Sequence, residues 1–339
     1  MIYIIYMNLL VTGGCGFIGS NFVNFIFKCK NELNINKLVN LDALYYCASK
    51  DYINKDVQIH EDYVFVKGNT GNVDLINYIL HTHKITHIIN FAAQSHVCNS
   101  FSNPIQYTKD NIFGTHILLD CCYNYHISEN SSEDKSKHNK IHKFIHISTD
   151  EVYGESQITD NKSQKKTEAS VLCPTNPYAA TKAGAELIVQ SYYHSFDFPI
   201  IVTRSNNIYG KNQYHEKLIP KFIKLLKENK KLTIHGKGET IRSFLHVDDL
   251  CEAFKLVLTK GAIGDIYNIG SEDEYTVLDV AKILLKKIKN RDNLENNIEL
   301  IEDRPFNDKR YWISDNKIKN LGWTISKDFS VELDKLIQS

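Results

Sequence analysis

The chain has 339 residues, with 40 Lys plus Arg against 40 Asp plus Glu, so its formal net charge is zero. That balance excludes the basic excess with which nucleic-acid-binding or polybasic membrane-surface proteins meet phosphates. At 42% hydrophobic residues the chain suits one large α/β domain or two intimately packed ones, which excludes disorder along its whole length.

The opening Met1–Met7 segment is apolar, has no basic leading region and runs into a glycine-rich turn. It reads as a buried strand with a short leading extension, not as a signal peptide. Nowhere does the chain reach the ~18 uninterrupted apolar residues of a membrane span. Short apolar runs then recur at Leu9–Val11, Leu38–Leu41, Tyr63–Val66, His87–Phe91, Phe144–Ile147 and Ile200–Thr203. Such runs suit strands buried on both faces of a parallel sheet. Helical patterns lie between them at Ser20–Lys28, Asn72–His83, Ile105–Tyr125 and Tyr178–Phe196. This alternation predicts a Rossmann-type doubly wound parallel sheet over residues 1–205.

Ser128–Lys143 and Glu155–Ser170 are polar, lack an apolar period and read as surface insertions that need no packed structure. After about residue 205 the rhythm changes. Helices are predicted over Leu218–Asn229, Asp248–Leu258 and Val277–Ile288, and strands over Leu232–His235 and Ile298–Leu300. Residues 206–339 are read mainly as a smaller α/β substrate-binding domain, with segments near 240–270 returning to the first sheet.

The turn Thr12-Gly-Gly-Cys-Gly-Phe-Ile-Gly19 follows a strand and opens a helix. Its glycines allow a tight turn, close approach of backbone N–H groups to a pyrophosphate and close helix–strand packing. Asp42, at the end of the second strand, can accept hydrogen bonds from a ribose 2′-hydroxyl, which favours NAD over NADP.

Tyr178 and Lys182 stand four residues apart in a predicted helix, hence on one face. A phenol is a poor base with a free pKa near ~10, so a cation beside it supports its ionised form. The strand Phe144–Ile147 runs out into Ser148-Thr149-Asp150-Glu151. Ligands of such sheets bind beyond the carboxyl ends of the strands, where two adjacent carboxylates can act as acid and base on either side of a bond. The same pair would equally suit the first turn of a helix.

The eight cysteines show no CxxC spacing, and Cys121 and Cys122 are adjacent. Cys29, Cys121 and Cys251 read as small buried hydrophobes in a protein of a reducing, cytoplasmic compartment. His81, His83 and His87 read as solvated or packed, and so do His138, His142 and His146, which have helical spacing but run from a polar loop into a strand and so cannot share a helical face; no metal is expected. Only five of the 40 basic residues are Arg, at 204, 242, 291, 304 and 310. In a Lys-dominated chain an Arg marks a place for a planar, bidentate fork.

Together, Thr12–Gly19, Thr149-Asp150-Glu151 and Tyr178xxxLys182 resemble the extended short-chain dehydrogenase/reductases, and more closely the nucleotide-sugar 4,6-dehydratases acting on dTDP-glucose or UDP-glucose. The Thr-Asp-Glu triplet is the specific element, because related epimerases usually lack its two acids. Gln94, His235 and the run Arg304–Asp308 resemble the UDP-glucose enzymes, such as the N-terminal part of plant rhamnose synthases. The resemblance covers essentially the whole chain. It implies bound NAD, held by Gly13, Gly16, Phe17, Ile18, Gly19, Asp42, Asn69, Thr70, Ala92, Ala93, Tyr178 and Lys182. It implies a nucleotide-sugar substrate met by Ser95, Asn207, Lys217, Leu218, His235, Arg242, Arg304, Asn307 and Tyr311.

It further implies that Tyr178 takes the C4 hydroxyl proton, Thr149 bonds the C4 oxygen, Glu151 removes the C5 proton and Asp150 protonates the departing C6 hydroxyl. A homodimer pairing Ile105–Tyr125 and Tyr178–Phe196 across a two-fold is implied too. Asn69-Thr70 departs from the family pattern where an acid usually meets the adenine, and Cys98-Asn99 replaces an often acidic–basic pair.

Overall fold

The computed structural model describes residues 6–130, 140–156, 165–303 and 305–338. In chain order the strands are β1 (Met7–Thr12), β2 (Ile35–Asp42), β3 (Tyr63–Lys67), β4 (His87–Asn90), β5 (Lys143–Thr149), β6 (Ile200–Ser205), β7 (Asn207–Tyr209), β8 (Leu232–His235), β9 (Ile241–His246), β10 (Ile266–Ile269), β11 (Glu274–Thr276) and β12 (Ile298–Ile301). The helices are α1 (Phe17–Lys28), α2 (Lys55–Gln58), α3 (Val73–His83), α4 (Val97–Ser102), α5 (Pro104–Tyr107), α6 (Gly114–Asn130), α7 (Pro177–Phe196), α8 (Leu218–Lys227), α9 (Val247–Lys260), α10 (Val277–Lys289), α11 (Asn316–Lys319) and α12 (Phe329–Gln338).

Seven strands form one parallel sheet in the order β10-β6-β5-β4-β1-β2-β3. Both faces are covered, which is why β1 reads as an unbroken apolar run: Leu9 and Val11 pack on the face of α1 and α9, while Leu10 packs on the face of α3, α6 and α7. This is the doubly wound sheet expected from the βα alternation. Strand order reverses at β1 and β4, and the crevice beyond their carboxyl ends is the ligand position of such sheets.

A second packing centre joins Phe222, Leu232, Ile234, Phe244, Leu284 and Phe329. It is built on α8, α10, α12, a β12-β8 pair and a β11-β9-β7 sheet. The chain shuttles between the two centres: α9 packs on α1 and β10 pairs with β6 before the chain returns to α10.

Three readings change. The helix predicted over Ile105–Tyr125 is interrupted by a π turn at Thr108–Phe113. The wider turn carries Asn111 onto the backbone of Gln94, where its Oδ1 accepts from Gln94 N at 2.7 Å and its Nδ2 donates to Gln94 O at 3.0 Å. The described ends of the second insertion are packed after all. Ser156 is buried, Lys166 pairs with Ile313, and the Glu168 carboxylate accepts from Asn268 N at 3.0 Å. Cys29 is only half-buried, unlike Cys121 and Cys251, and all eight cysteines are unpaired. The first five residues and the middles of both insertions, His138 included, lie outside the described residues.

Candidate active site

The glycine turn connects β1 to α1. Gly13 adopts φ +71°, and a Cβ there would sit 2.8 Å from Ala92 N. A Cβ on Gly19 would run into the Gly13 carbonyl oxygen, so the helix can pack this close only without a side chain. At Gly16 a Cβ would meet nothing nearer than Gly13 O at 3.4 Å, so that position is open to the cleft. Gly16 is also the N-cap of α1, with no side-chain cap and no acid in the first turn. Orphan N–H groups and the positive end of the helix dipole therefore face the crevice, which fits a pyrophosphate.

At the end of β2, buried Asp42 holds the turn by accepting from Cys15 N at 2.8 Å and Leu44 N at 2.7 Å. Burial raises its pKa. Its remaining lone pairs suit two ribose hydroxyls. Asn69 Oδ1 already accepts from Gly71 N at 2.7 Å, and its Nδ2 donates to Tyr45 Oη at 3.0 Å. The donor chemistry of the whole set thus fits a dinucleotide whose adenosine end meets Asp42, with Asn69 a turn-former beside it.

All twelve cofactor candidates line one cleft of about 310 Å³: Gly13, Gly16, Phe17, Ile18, Gly19, Asp42, Asn69, Thr70, Ala92, Ala93, Tyr178 and Lys182. Thr149, Asp150 and Glu151 line it too. A second cleft of about 610 Å³ is lined by Ser95, Asn207, Lys217, Leu218, His235, Arg242, Asn307 and Tyr311. Arg304 lies outside the described residues. The clefts share Ser95, Glu151, Asn207, Glu216 and Lys217, so a molecule in one reaches the other at Glu151.

Thr149 caps a single 3₁₀ turn, Asp150–Tyr153, by accepting from Glu151 N at 3.3 Å. The two acids do occupy a helix start, but they are not surface charge. Asp150 is only 2% exposed, and burial together with the Glu151 charge pushes its pKa up to about 7. Its Oδ2 accepts from Asn206 Nδ2 at 2.6 Å and its Oδ1 from Thr149 Oγ1 at 3.2 Å. Burial also raises the pKa of Glu151, against Asn176 Nδ2 donating at 3.0 Å and the charges of Arg242 and Lys217. Near neutral pH Asp150 can thus hold a proton that an ordinary aspartate has lost.

Tyr178 and Lys182 share one face of α7, whose N-cap Asn176 precedes Pro177. Burial, then the Glu151 charge, drives the Tyr178 phenol well above its ordinary pKa, and a hydrogen bond from Thr149 opposes this. Lys182 Nζ donates to Ile147 O at 2.6 Å, and burial brings its pKa down to about 8. The spacing argument placed Lys182 as the phenol's cation, whereas in this structure its ammonium is held by the β5 backbone.

The Arg reading divides. Arg242 stacks on Tyr311 with its guanidinium carbon 4.9 Å from the ring centroid, and donates to Asn307 Oδ1 at 3.3 Å in the second cleft. Arg204 is instead buried in a pair with Glu186 of α7 and a bond to Tyr153 Oη. Arg310 forks onto Glu274 and stacks on Trp312 at 4.1 Å. Both forks grip carboxylates of the protein itself. Among the described residues no cluster of three or more His, Cys, Asp or Glu could hold a metal.

Sequence reasoning missed Asn176 and Asn206, which hold the two acids. An Asn immediately before Pro177 at a helix start was a usable signal for the first. It also missed Asp308, whose Oδ2 accepts from Thr175 Oγ1 at 2.6 Å and from Tyr311.

Comparisons with known proteins show the family. A trifunctional UDP-glucose 4,6-dehydratase/UDP-4-keto-6-deoxy-D-glucose 3,5-epimerase/UDP-4-keto-L-rhamnose-reductase of Arabidopsis thaliana is 46% identical over 93% of this chain and 44% of its own length. The chain spans under half the length of the plant relatives it matches. A dTDP-D-glucose 4,6-dehydratase of Dictyostelium discoideum is 41% identical over 96% of this chain and 80% of its own. The crystal structure of a dTDP-glucose 4,6-dehydratase from Streptomyces venezuelae with NAD bound superposes with a TM-score of 0.88 at 32% identity, covering 98% of this chain and 96% of that one. The family model described as GDP-mannose 4,6 dehydratase matches residues 10–336, and the chain belongs to that family.

Proposed function

We propose that the chain is an NAD-dependent hydro-lyase that converts UDP-glucose or dTDP-glucose to the nucleoside-diphosphate 4-keto-6-deoxyglucose and water. The observation that carries this reading is the Asp150–Glu151 pair, Asp150 buried and Glu151 half-buried, set beside Tyr178 where the two clefts meet. NAD, when bound, supplies the acceptor that takes hydride from C4 of the sugar and returns it at C6.

The chain's own residues do the rest. Tyr178 removes the proton of the C4 hydroxyl, and Thr149 bonds the same oxygen. The resulting ketone acidifies C5–H, which Glu151 removes. Asp150, held protonated by burial, gives its proton to the C6 hydroxyl as it leaves. Arg242 and Lys217, with Asn207 and Asn307, meet the diphosphate, and His235 and Leu218 line the same second cleft.

The test is incubation with UDP-glucose and dTDP-glucose in parallel, each carrying deuterium at C4. A 4-keto-6-deoxy product with the label at C6 is expected from at least one, and the faster substrate names the nucleotide. A C6-hydroxylated product, or loss of label to solvent, would refute the reading; the former would point to a 4-epimerase or decarboxylase of this fold.

The assembly proposed is a homodimer through α7 and the Ile105–Tyr125 segment, on which Ile105, Phe113, Leu187 and Phe196 are exposed. A monomer by light scattering would contradict it. A cytoplasmic setting is supported by the eight unpaired cysteines. No helix among the described residues is long and apolar enough to cross a membrane.

A further inference from the structure

The groups proposed to react stand on three separate pieces of chain. Asp150 and Glu151 lie in the turn Asp150–Tyr153, Tyr178 and Lys182 on α7, and Asn206, which holds Asp150, just beyond β6. One buried side chain joins all three. Arg204 belongs to β6, two residues before Asn206. Its Nε donates to both carboxylate oxygens of Glu186 at 3.1 and 3.2 Å, and Glu186 lies one turn past Lys182 on α7. Its Nη1 donates to Tyr153 Oη, on the last residue of the turn. The buried Tyr153 hydroxyl in turn donates to Asn268 Oδ1 of β10 at 2.8 Å.

A four-residue 3₁₀ turn has poor hydrogen-bond geometry and does not hold its own position. Among the described residues its backbone is tied by Gly154 N donating to Glu151 O at 3.1 Å and Cys173 N donating to Val152 O at 2.9 Å. Two further ties end on the acids themselves, from Asn206 to Asp150 and from Asn176 to Glu151. In the proposed chemistry those carboxylates gain and lose protons, so both ties change strength within each turnover. The Tyr153 tie does not, because a guanidinium keeps its charge throughout. The helix is fastened independently of the turn. Lys182 Nζ donates to Ile147 O at 2.6 Å, Asn111 Nδ2 to Thr181 Oγ1 at 2.9 Å, and Ala179 N to Asn176 Oδ1 at 2.9 Å.

We propose that Tyr153 is a positioning residue: its hydroxyl pins the Asp150–Glu151 turn to the Arg204–Glu186 pair and so keeps the two acids in register with Tyr178, a role that rests on the 4,6-dehydratase reading above. Without the hydroxyl the turn shifts while α7 stays. Elimination, which needs both acids, then suffers. Oxidation at C4, which needs Tyr178, does not.

The experiment uses NAD-loaded enzyme and three variants. Tyr153→Phe removes one oxygen and keeps the ring, over which the Arg204 guanidinium carbon lies 4.6 Å from the centroid. Arg204→Lys keeps a cation for Glu186, but a single ammonium lacks the fork that reaches Glu186 and Tyr153 together. Tyr267→Phe is the control. It removes an equally buried hydroxyl that donates to Asp265 at 3.0 Å and not to the turn. Stopped flow follows C4 oxidation by nicotinamide absorbance, rapid quench follows the 4-keto-6-deoxy product, and titration gives NAD affinity. The substrate is whichever of UDP-glucose and dTDP-glucose the wild type dehydrates.

Tyr153→Phe and Arg204→Lys should bind NAD and oxidise C4 as the wild type does. Elimination should slow by on the order of 10- to 10²-fold, so that the reduced nicotinamide absorbance persists. Tyr267→Phe should match the wild type in every step. Elimination at the wild-type rate in Tyr153→Phe overturns the proposal. So do oxidation and elimination slowed in the same proportion, or the same selective loss in Tyr267→Phe. If Arg204→Lys does not fold, Tyr153→Phe decides alone. A wild type that dehydrates neither nucleotide sugar would overturn the functional reading, a failure seen in the unaltered enzyme and so distinct from failure of the Tyr153 role.

Discussion

Replacing Asp150 by Asn should make the protein more stable while destroying its chemistry, and the size of the gain can be worked from the site. Burial and the neighbouring Glu151 raise the Asp150 pKa from 3.8 to about 7. The folded state therefore keeps a proton that the unfolded chain releases between about pH 4 and pH 7. Stability present below that window declines through it and is lost above pH 7. Each pH unit is worth about 1.36 kcal/mol, so the buried carboxylate costs roughly 4 kcal/mol at pH 8 and roughly 2 kcal/mol at pH 5. An Asn side chain never ionises. It can keep both neighbours if its amide oxygen accepts from Asn206 and its N–H₂ faces Thr149.

Denaturant unfolding of both proteins at pH 5 and pH 8 is the assay. The variant should gain stability at both, with the larger gain, up to roughly 4 kcal/mol, at pH 8. A parallel turnover assay should show a loss on the order of 10²- to 10⁴-fold, because no proton reaches the leaving hydroxyl. A variant no more stable than the wild type at pH 8, or one with equal gains at both pH values, would refute the claim that burial strains this carboxylate.

Other predictions use the same site. The wild-type kcat should decline as pH rises through the Asp150 pKa of about 7, since the protonated form is the one that acts; a flat profile from pH 6 to 9 would count against Asp150 as the acid. Glu151→Gln should leave C4 oxidation measurable as a nicotinamide absorbance change while slowing elimination on the order of 10²- to 10⁴-fold. If oxidation and elimination fall together, Glu151 is not confined to the C5 step. Arg204→Gln strands Glu186 in the core and should cost roughly 3–5 kcal/mol in chemical denaturation, much of it recovered by pairing Arg204→Met with Glu186→Leu. A loss under ~1 kcal/mol from the single change would mean that the buried pair is dispensable.

Local features carried much of the site into the sequence. The glycine turn was legible because pyrophosphate approach demands missing side chains at fixed spacing, and Tyr178 and Lys182 because a helix repeats its face every four residues. Thr149-Asp150-Glu151 could be placed because a strand of known direction ends there. What pattern could not supply was contact between distant segments. Asn206 and Asn176 reach the two acids across 56 and 25 residues, and Arg204 reaches Glu186 rather than a substrate. The π turn at Thr108–Phe113 also escaped, because its apolar period matches an ordinary helix and only the Gln94 backbone shows where Asn111 must go.

The sequence by itself determined the doubly wound sheet, the glycine-cradled turn and the candidate side chains of the proposed chemistry. Each follows from the period of a strand or helix, or from the absence of a Cβ, and those are properties of neighbouring residues. Only the tertiary structure decided which groups are charged and what each one touches. Asp150 holds its proton because it is buried beside a second carboxylate, and Lys182 faces a backbone carbonyl because α7 lies against β5. Protonation state and hydrogen-bond partner are set by desolvation and by nearby groups from remote parts of the chain, and these exist only once the chain has packed.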